Sequence, residues 1–517
     1  MKDLYNASSW LVDRNISLGN GDRNAVVTAD DTVSYAGLLK SIYRVQNALK
    51  ELDVRREERV ALILNDEPAF PAWFLGCMRS GVVPIPLSTM LTGKDLGDII
   101  SDAIAQVVVL SGRYAPILPA ICKAAPHLKA AIIIGNEKSD VAVKVFNWHE
   151  FQNVTEAPVA DTNVDSPAFW LYSSGTTGFP KGTIHRHFNL EATATTYAKT
   201  VLEVNQNDVF FSAAKLFFAF GLGNSLTFPF SVGASVILDP AWATPRGVAE
   251  TVSKFKPTLF FGSPGLLASI MDSGVPANSF ESVRLAVTAG EALPSEINKK
   301  FSAAFGFPVL DGIGSTEALH IFLSNRPNDV RFGTTGRPVE GYKLMLLDDE
   351  NKEILEPDVP GYLHVSGEST AIGYWCRTDA NKNAFRGEWL RTGDVYVRSA
   401  DGFYQFLGRN NDMIKLGGIW VSPAEVESVL VEHEDVLEAA VVGGYNDDGL
   451  ETSVAFIVPK SGKIIDEAAI AEHCRSRMAS FKRPRTIVFV TELPKTATGK
   501  IQRYQLREQI AKKVVDE

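Results

Sequence analysis

A chain of 517 residues exceeds one ordinary domain, so two or more are expected, with enough apolar sequence to bury sizeable cores. The composition, 45% hydrophobic and 22% charged, is that of a soluble globular protein, and a net charge of -10 without a basic run argues against nucleic acid as a partner. Cys77, Cys122, Cys376 and Cys474 are far apart, and the chain has no apolar leader and no run of about 18 apolar residues; the expectation is a reducing, cytoplasmic setting with no membrane.

From Ala25 to about Asp161, apolar runs such as Arg59 to Leu64 and Val107 to Leu110 alternate with helical stretches, including Tyr35 to Leu52. That alternation predicts βα units and mostly parallel sheets. An apolar strand, Ala168 to Tyr172, leads into the stretch Tyr172-Ser173-Ser174-Gly175-Thr176-Thr177-Gly178-Phe179-Pro180-Lys181-Gly182-Thr183. Its glycines let consecutive backbone N–H groups converge on an anion, its hydroxyls add donors, and Lys181 adds a point charge suited to phosphate. The stretch reads as a polyphosphate cradle, yet Pro180 stands where the Walker pattern requires its second glycine.

Further strands are expected at Ala234 to Leu238, Thr258 to Phe261 and Leu285 to Thr288, whose unbroken apolar character fits coverage on both faces. The segment Lys343 to Ser369 carries shorter strands between Gly and Pro turns and reads as an antiparallel appendage. Around Gly408-Arg409-Asn410-Asn411-Asp412 the chain turns polar. Beyond it lies a segment with its own helices, Pro423 to Glu432 and Glu467 to Ser480, and a strand pair near 439–442 and 453–458. The fold class is therefore α/β: a large domain over 1–408 with mostly parallel sheets and a small antiparallel subdomain, then a small α+β domain over 409–517.

Four later motifs accompany the cradle: Thr288-Ala289-Gly290-Glu291-Ala292-Leu293-Pro294, Asp311-Gly312-Ile313-Gly314-Ser315-Thr316-Glu317, the pair Arg391-Thr392-Gly393-Asp394 and Leu407-Gly408-Arg409, and Pro494-Lys495-Thr496-Ala497-Thr498-Gly499-Lys500-Ile501. Taken singly, each has a plain reading as a turn, a helix cap or a solvated tail. In this order they resemble the adenylate-forming superfamily of acyl- and aryl-CoA synthetases. The resemblance implies ATP binding by Ser173, Ser174, Gly175, Thr176, Thr177, Gly178 and Lys181 at the phosphates. It places Gly290, Glu291, Asp311 and Gly312 around the nucleoside, and Asp394 with Arg409 at the ribose. It further implies a Mg²⁺ ligand in Glu317, charge stabilisation by Thr316 and Lys500, a small domain that turns about Asn411, and a thiol tunnel walled by Gly417 and Gly418. The family usually has Asp or Lys at the hinge, so Asn411 is a departure.

The stretch Ala214 to Asn224 and the residues after Glu317 resemble the benzoate-CoA ligase branch, over essentially the whole chain. The resemblance implies an aryl-acid pocket at Ala219, Phe220, Gly221, Gly314, His320 and Ile321, with Lys215 a candidate partner for the carboxylate. Phe220 replaces the tyrosine expected of that branch and dries one wall. The expected activity is an ATP-, Mg²⁺- and CoA-dependent ligation of a small aromatic acid by a monomer or homodimer. Benzoate, 2-aminobenzoate, hydroxybenzoates and small heteroaryl acids are the candidate acids, and a long-chain fatty acid is disfavoured because Phe220 and Ile321 would close the pocket. An adenylation protein that loads a carrier protein is the nearest rival, and a nucleotide-sensing module without turnover is the rival of another class. His185 and His187 lack metal-ligand spacing and read as structural.

Overall fold

The expected alternation is realised as two sheets of parallel strands. The computed structural model describes residues 3–173, 179–416, 419–445, 451–495 and 501–516. Among these, the strands Val83–Pro86, Arg59–Ile63, Ala105–Ser111, Ala130–Ile134 and Lys144–Asn147 form one wholly parallel sheet in that spatial order. A longer sheet runs in parallel from Asn24–Val27 through Ser235–Ile237, Val209–Ser212, Leu259–Gly262 and Leu285–Thr288 to Val309–Gly314. Its edges are antiparallel: Thr32–Ser34 at one side, Ile321–Ser324 and Arg337–Pro338 at the other. Strands covered on both faces need no polar side, and Leu259, Phe260 and Phe261 are all fully buried.

Helix Tyr35–Glu51 shows how the sequence sets these layers. Ser34 caps it by accepting from the Gly37 N–H, and Leu38, Ile42, Val45 and Leu49 recur on one buried stripe. The stripe packs against helix Ala69–Arg79, and Gly76 brings the two so close that a Cβ there would lie 2.6 Å from the Val45 side chain.

Two smaller antiparallel sheets complete the large domain. One joins Pro167–Ser173, Lys181–Arg186 and Gly373–Tyr374. The other is built on Lys343–Leu347, Gly361–Ser366, Trp389–Arg398 and Tyr404–Arg409. After Arg409 the chain turns through 410–413 into the hairpin of Ile414–Leu416 and Ile419–Val421, then into a sheet of Val436–Tyr445, Glu451–Pro459 and Thr486–Phe489. This last segment is seated on the large sheet's helices: Val426, Leu430 and Val436 share an apolar cluster with Leu267, Ile297 and Phe301.

Gly76→Ala is expected to cost about 1–3 kcal/mol by forcing these helices apart, read as a lower denaturation midpoint with an unchanged secondary-structure signal.

Candidate active site

The antiparallel hairpin of Pro167–Ser173 and Lys181–Arg186 pairs Ser173 directly with Lys181, so both stand at the mouth of the connecting loop. Ser174, Gly175, Thr176, Thr177 and Gly178 of that loop lie outside the described residues. The Lys181 ammonium lies 5.2 Å from the centroid of the Tyr374 ring. Tyr374 sits on the third strand of the same sheet, opposite Thr183, and its hydroxyl donates to Glu317 Oε1 at 2.8 Å. A single tyrosine thus connects the cradle's lysine to the acidic motif.

Thr316 and Glu317 occupy the connection between Val309–Gly314 and Ile321–Ser324. This turn is tight. Leu319 is held at φ +66, and a Cβ on Gly314 would come within 2.4 Å of the His320 carbonyl oxygen. The Thr316 carbonyl accepts from His185 Nε2 at 2.9 Å, and because a carbonyl only accepts, the proton is on that nitrogen. Burial lowers the His185 pKa to about 4, so the ring is neutral at physiological pH. The Glu317 carbonyl accepts from the Ala371 N–H at 2.8 Å.

Asp394 and Arg409 are register partners on adjacent strands, and Arg409 Nε lies 2.8 Å from Asp394 Oδ1. The negative charge of Asp394 above all, with Glu317 and Asp412 adding to it, raises the Arg409 pKa. Gly290 follows strand Leu285–Thr288 at φ +97, a conformation that suits glycine, and the Glu291 carboxylate accepts from the Ile501 N–H at 2.7 Å. Asp311 pairs in register with Thr288, beside Gly312 on the same strand; it is buried, and loss of solvent pushes its pKa up to about 8. Lys500 lies outside the described residues, as do Gly417 and Gly418, although the strands flanking that pair of glycines are joined Leu416 to Ile419. Asn411 is exposed in the turn after Arg409, and the neighbouring Asp412 holds Arg507 of the last helix at 2.8 Å.

Ala219 opens a continuous helical run: Ala219–Leu222, a π-helical turn Gly223–Thr227, then Phe228–Val232. A π-bulge at this place re-aims the side chains that follow. His320 is surrounded by the rings of Tyr197, Phe220 and Phe228 at centroid distances of 5.5, 5.5 and 4.5 Å. Its Nε2 pairs with Asn224 Oδ1 at 3.1 Å, and burial lowers its pKa to about 3. A Cβ on Gly223 would lie 2.3 Å from the His320 ring, and one on Gly221 would lie 2.0 Å from the Lys215 carbonyl oxygen. Ala219 and Phe220 are half-buried, whereas His320 and Ile321 beside them are buried.

Lys215 departs from the expectation. Its side chain is buried, its ammonium donates to the carbonyls of Asp239 and Ala241 at 2.6 and 2.5 Å, and Asp66 Oδ2 lies 3.8 Å away. A buried ammonium requires such partners, and with these donors committed it is not available to a substrate carboxylate. His185 and His187 are structural as expected, the latter accepting from the Ala7 N–H at 3.1 Å. Sequence reading did not single out Tyr374 or Asn224, since a two-residue strand and one asparagine in a helix leave no periodic or motif signal.

The family model described as AMP-binding enzyme matches residues 14–375, and that of the AMP-binding enzyme C-terminal domain matches 425–500. The benzoate–CoA ligase of Thauera aromatica is 42% identical over 98% of this chain and 96% of its own length. The 4-hydroxybenzoate–CoA/benzoate–CoA ligase of Rhodopseudomonas palustris is 40% identical, over 98% and 94%. Among solved structures, an anthranilate CoA ligase in complex with anthranoyl-AMP superposes with a TM-score of 0.93 at 39% identity, covering 98% of this chain and 97% of that one. A benzoate CoA ligase from Burkholderia xenovorans gives 0.89 at 41%, covering 98% and 100%.

Asp311 yields a pH prediction. Its pKa is raised on folding, so the native state holds a proton that the unfolded chain has released, and stability is lost as pH rises from about 4 towards about 8. Asp311→Asn carries no such proton. Its denaturation midpoint, compared with that of the parent, is expected to gain steadily across that window; a constant difference would remove the protonated acid from the account.

Proposed function

Because the chain belongs to the AMP-binding enzyme family, we propose that it is an ATP-dependent aryl-acid:CoA ligase, acting on a benzoate-type acid such as benzoate, 2-aminobenzoate or hydroxybenzoate. The acid is first activated as an aryl-adenylate with release of pyrophosphate, and the acyl group then passes to the CoA thiol with release of AMP. The observation that carries the reading is the likeness to benzoate–CoA ligases at 42% and 40% identity over 98% of the chain. It is joined by the packing of Phe220 against the aromatic-caged His320.

In the first step a carboxylate oxygen attacks the α-phosphorus, and negative charge accumulates on its oxygens. Lys181 and the hydroxyls of the loop from Ser173 hold the departing pyrophosphate, and the Thr316 hydroxyl donates to the α-phosphate. Asp394 accepts from the ribose hydroxyls, and Arg409, kept protonated by Asp394, adds positive charge beside them. Gly290 lets backbone approach the flat base, with Asp311 and Gly312 lining it. The neutral His320 and the apolar Phe220 bury the ring without asking for a counter-charge.

The donors present fit Mg²⁺. Glu317 offers a hard carboxylate of which one oxygen already accepts from Tyr374, and among the described residues no cluster of three or more His, Cys, Asp or Glu forms a protein-only metal cage. When bound by Glu317 together with the triphosphate, the ion would supply neutralisation of phosphate charge.

The last residues, 409–517, act as a second domain that turns about Asn411. Lys500 bridges the acid and the α-phosphate in the first step, and Gly417 and Gly418 admit the thiol arm in the second. The bond from the Ile501 N–H to Glu291 supports this role for Lys500, since it sets the next residue of the small domain against the nucleoside segment. Among the described residues no helix is long and apolar enough to cross a membrane, and the four cysteines are free, which suits a cytoplasmic enzyme that uses a thiol substrate.

Purified protein offered ATP, Mg²⁺, CoA and one aryl acid at a time should release AMP and a thioester resolved by mass; adenylate without thioester would shift the acceptor to a carrier arm. Lys500→Ala is expected to lower adenylate formation by at least about 10²-fold while the thiolation of a supplied aryl-adenylate persists. Equal loss of both half-reactions would remove the assigned role.

A further inference from the structure

We propose that Tyr374 is a positioning residue that sets the Glu317 carboxylate for the metal and ties it to the phosphate-loop lysine; the inference rests on the ligase reading above. Three observations converge on it. The phenol donates to Glu317 Oε1 at 2.8 Å, which fixes that oxygen and with it the orientation of the carboxylate. The ring face lies 5.2 Å from the Lys181 ammonium, within the range of a cation–π contact. The residue itself is pinned on every side: Asn381 accepts from the Tyr374 N–H at 2.6 Å and donates to its carbonyl at 2.9 Å, and Phe385 meets the ring edge-on at 5.3 Å.

The side-chain amide of Asn381 therefore does for Tyr374 what a neighbouring strand would do, satisfying both backbone groups at the end of a two-residue strand. On its other edge that strand pairs with Lys181–Arg186, which also carries His185 to the Thr316 carbonyl. One short sheet thus grips Thr316 through its carbonyl and Glu317 through its carboxylate, while presenting the phosphate loop at its end. Of these contacts, only the Tyr374 hydroxyl reaches a group assigned to the metal. With its ring facing Lys181 and its hydroxyl bound to Glu317, the phenol gives each of the two charges a partner.

The test is Tyr374→Phe, which keeps the ring, the Phe385 contact and the Asn381 clamp and removes only the donor. Calorimetric titration of Mg²⁺ into protein saturated with a non-hydrolysable ATP analogue should show metal affinity weakened by about 10-fold or more, with analogue affinity in the absence of metal nearly unchanged. The Mg²⁺ requirement of pyrophosphate exchange should shift by the same factor, while thiolation of a supplied aryl-adenylate stays at the parental rate. In a Glu317→Gln background the Tyr374→Phe change should add nothing, because the tyrosine acts through the carboxylate. Unchanged metal affinity, or a full further loss in the Glu317→Gln background, overturns the proposal. The ligase reading fails on its own if the parent binds metal and nucleotide but forms no adenylate with any aryl acid; absence of metal-dependent nucleotide binding in the parent sinks both.

Discussion

A site for a metal–triphosphate needs a cation for the phosphates and an anion for the metal within one small volume, and those two side chains attract each other. In the proposed site Tyr374 would act as an aromatic spacer, its hydroxyl bound to Glu317 and its ring facing the Lys181 ammonium. Much of the surrounding structure holds this spacer still. The hairpin that carries the loop is anchored from beneath by Asp102, which accepts from the Tyr172 hydroxyl at 2.8 Å and from Arg377 at 2.8 Å, while its carbonyl accepts from the Trp375 indole at 3.0 Å. Residues 375 and 377 continue directly from Tyr374, so the first parallel layer sets the position of the spacer through Asp102.

Burial does the electrostatic work elsewhere in the site. His185 and His320 are kept neutral by desolvation, which lets one ring serve as a fixed hydrogen-bond donor and the other as part of an apolar wall. Asp66 and Lys215 form a buried pair: burial pushes the Asp66 pKa up to about 6 although Lys215 and the Leu216 N–H favour its charge. Removing one partner would strand the other in a dry interior, so this pair serves to hold the 214–218 segment onto which Gly221 packs, and not to meet substrate.

The seam to the last segment combines two kinds of contact. Apolar residues of helices Pro264–Asp272 and Ser295–Phe305 meet Val426, Leu430 and Val436, and beside that seam a cleft of about 210 Å³ is lined by Met271, Ile297, Val431 and Leu437. A polar contact also crosses the seam, where Glu291 accepts from the Ile501 N–H at 2.7 Å.

By itself the sequence determined the α/β class, the strands Leu285–Thr288 and Arg59–Ile63 nearly to the residue, the antiparallel insert, the small last domain and the order of motifs that marks the family. These are legible because apolar periodicity and turn chemistry are local properties of the chain. What lay beyond it are contacts between distant strands. Tyr374 meets Glu317 across 57 residues, His185 meets Thr316 across 131, and Leu216 meets Asp66 across 150. Lys215 read as a candidate partner for the substrate carboxylate because nothing near it in sequence shows the carbonyls of Asp239 and Ala241. Sheet register and the close approach permitted by Gly221, Gly223 and Gly314 decide which of these side chains meet. Only the folded chain specifies those pairings, since each is a consequence of packing between layers and not of any local pattern.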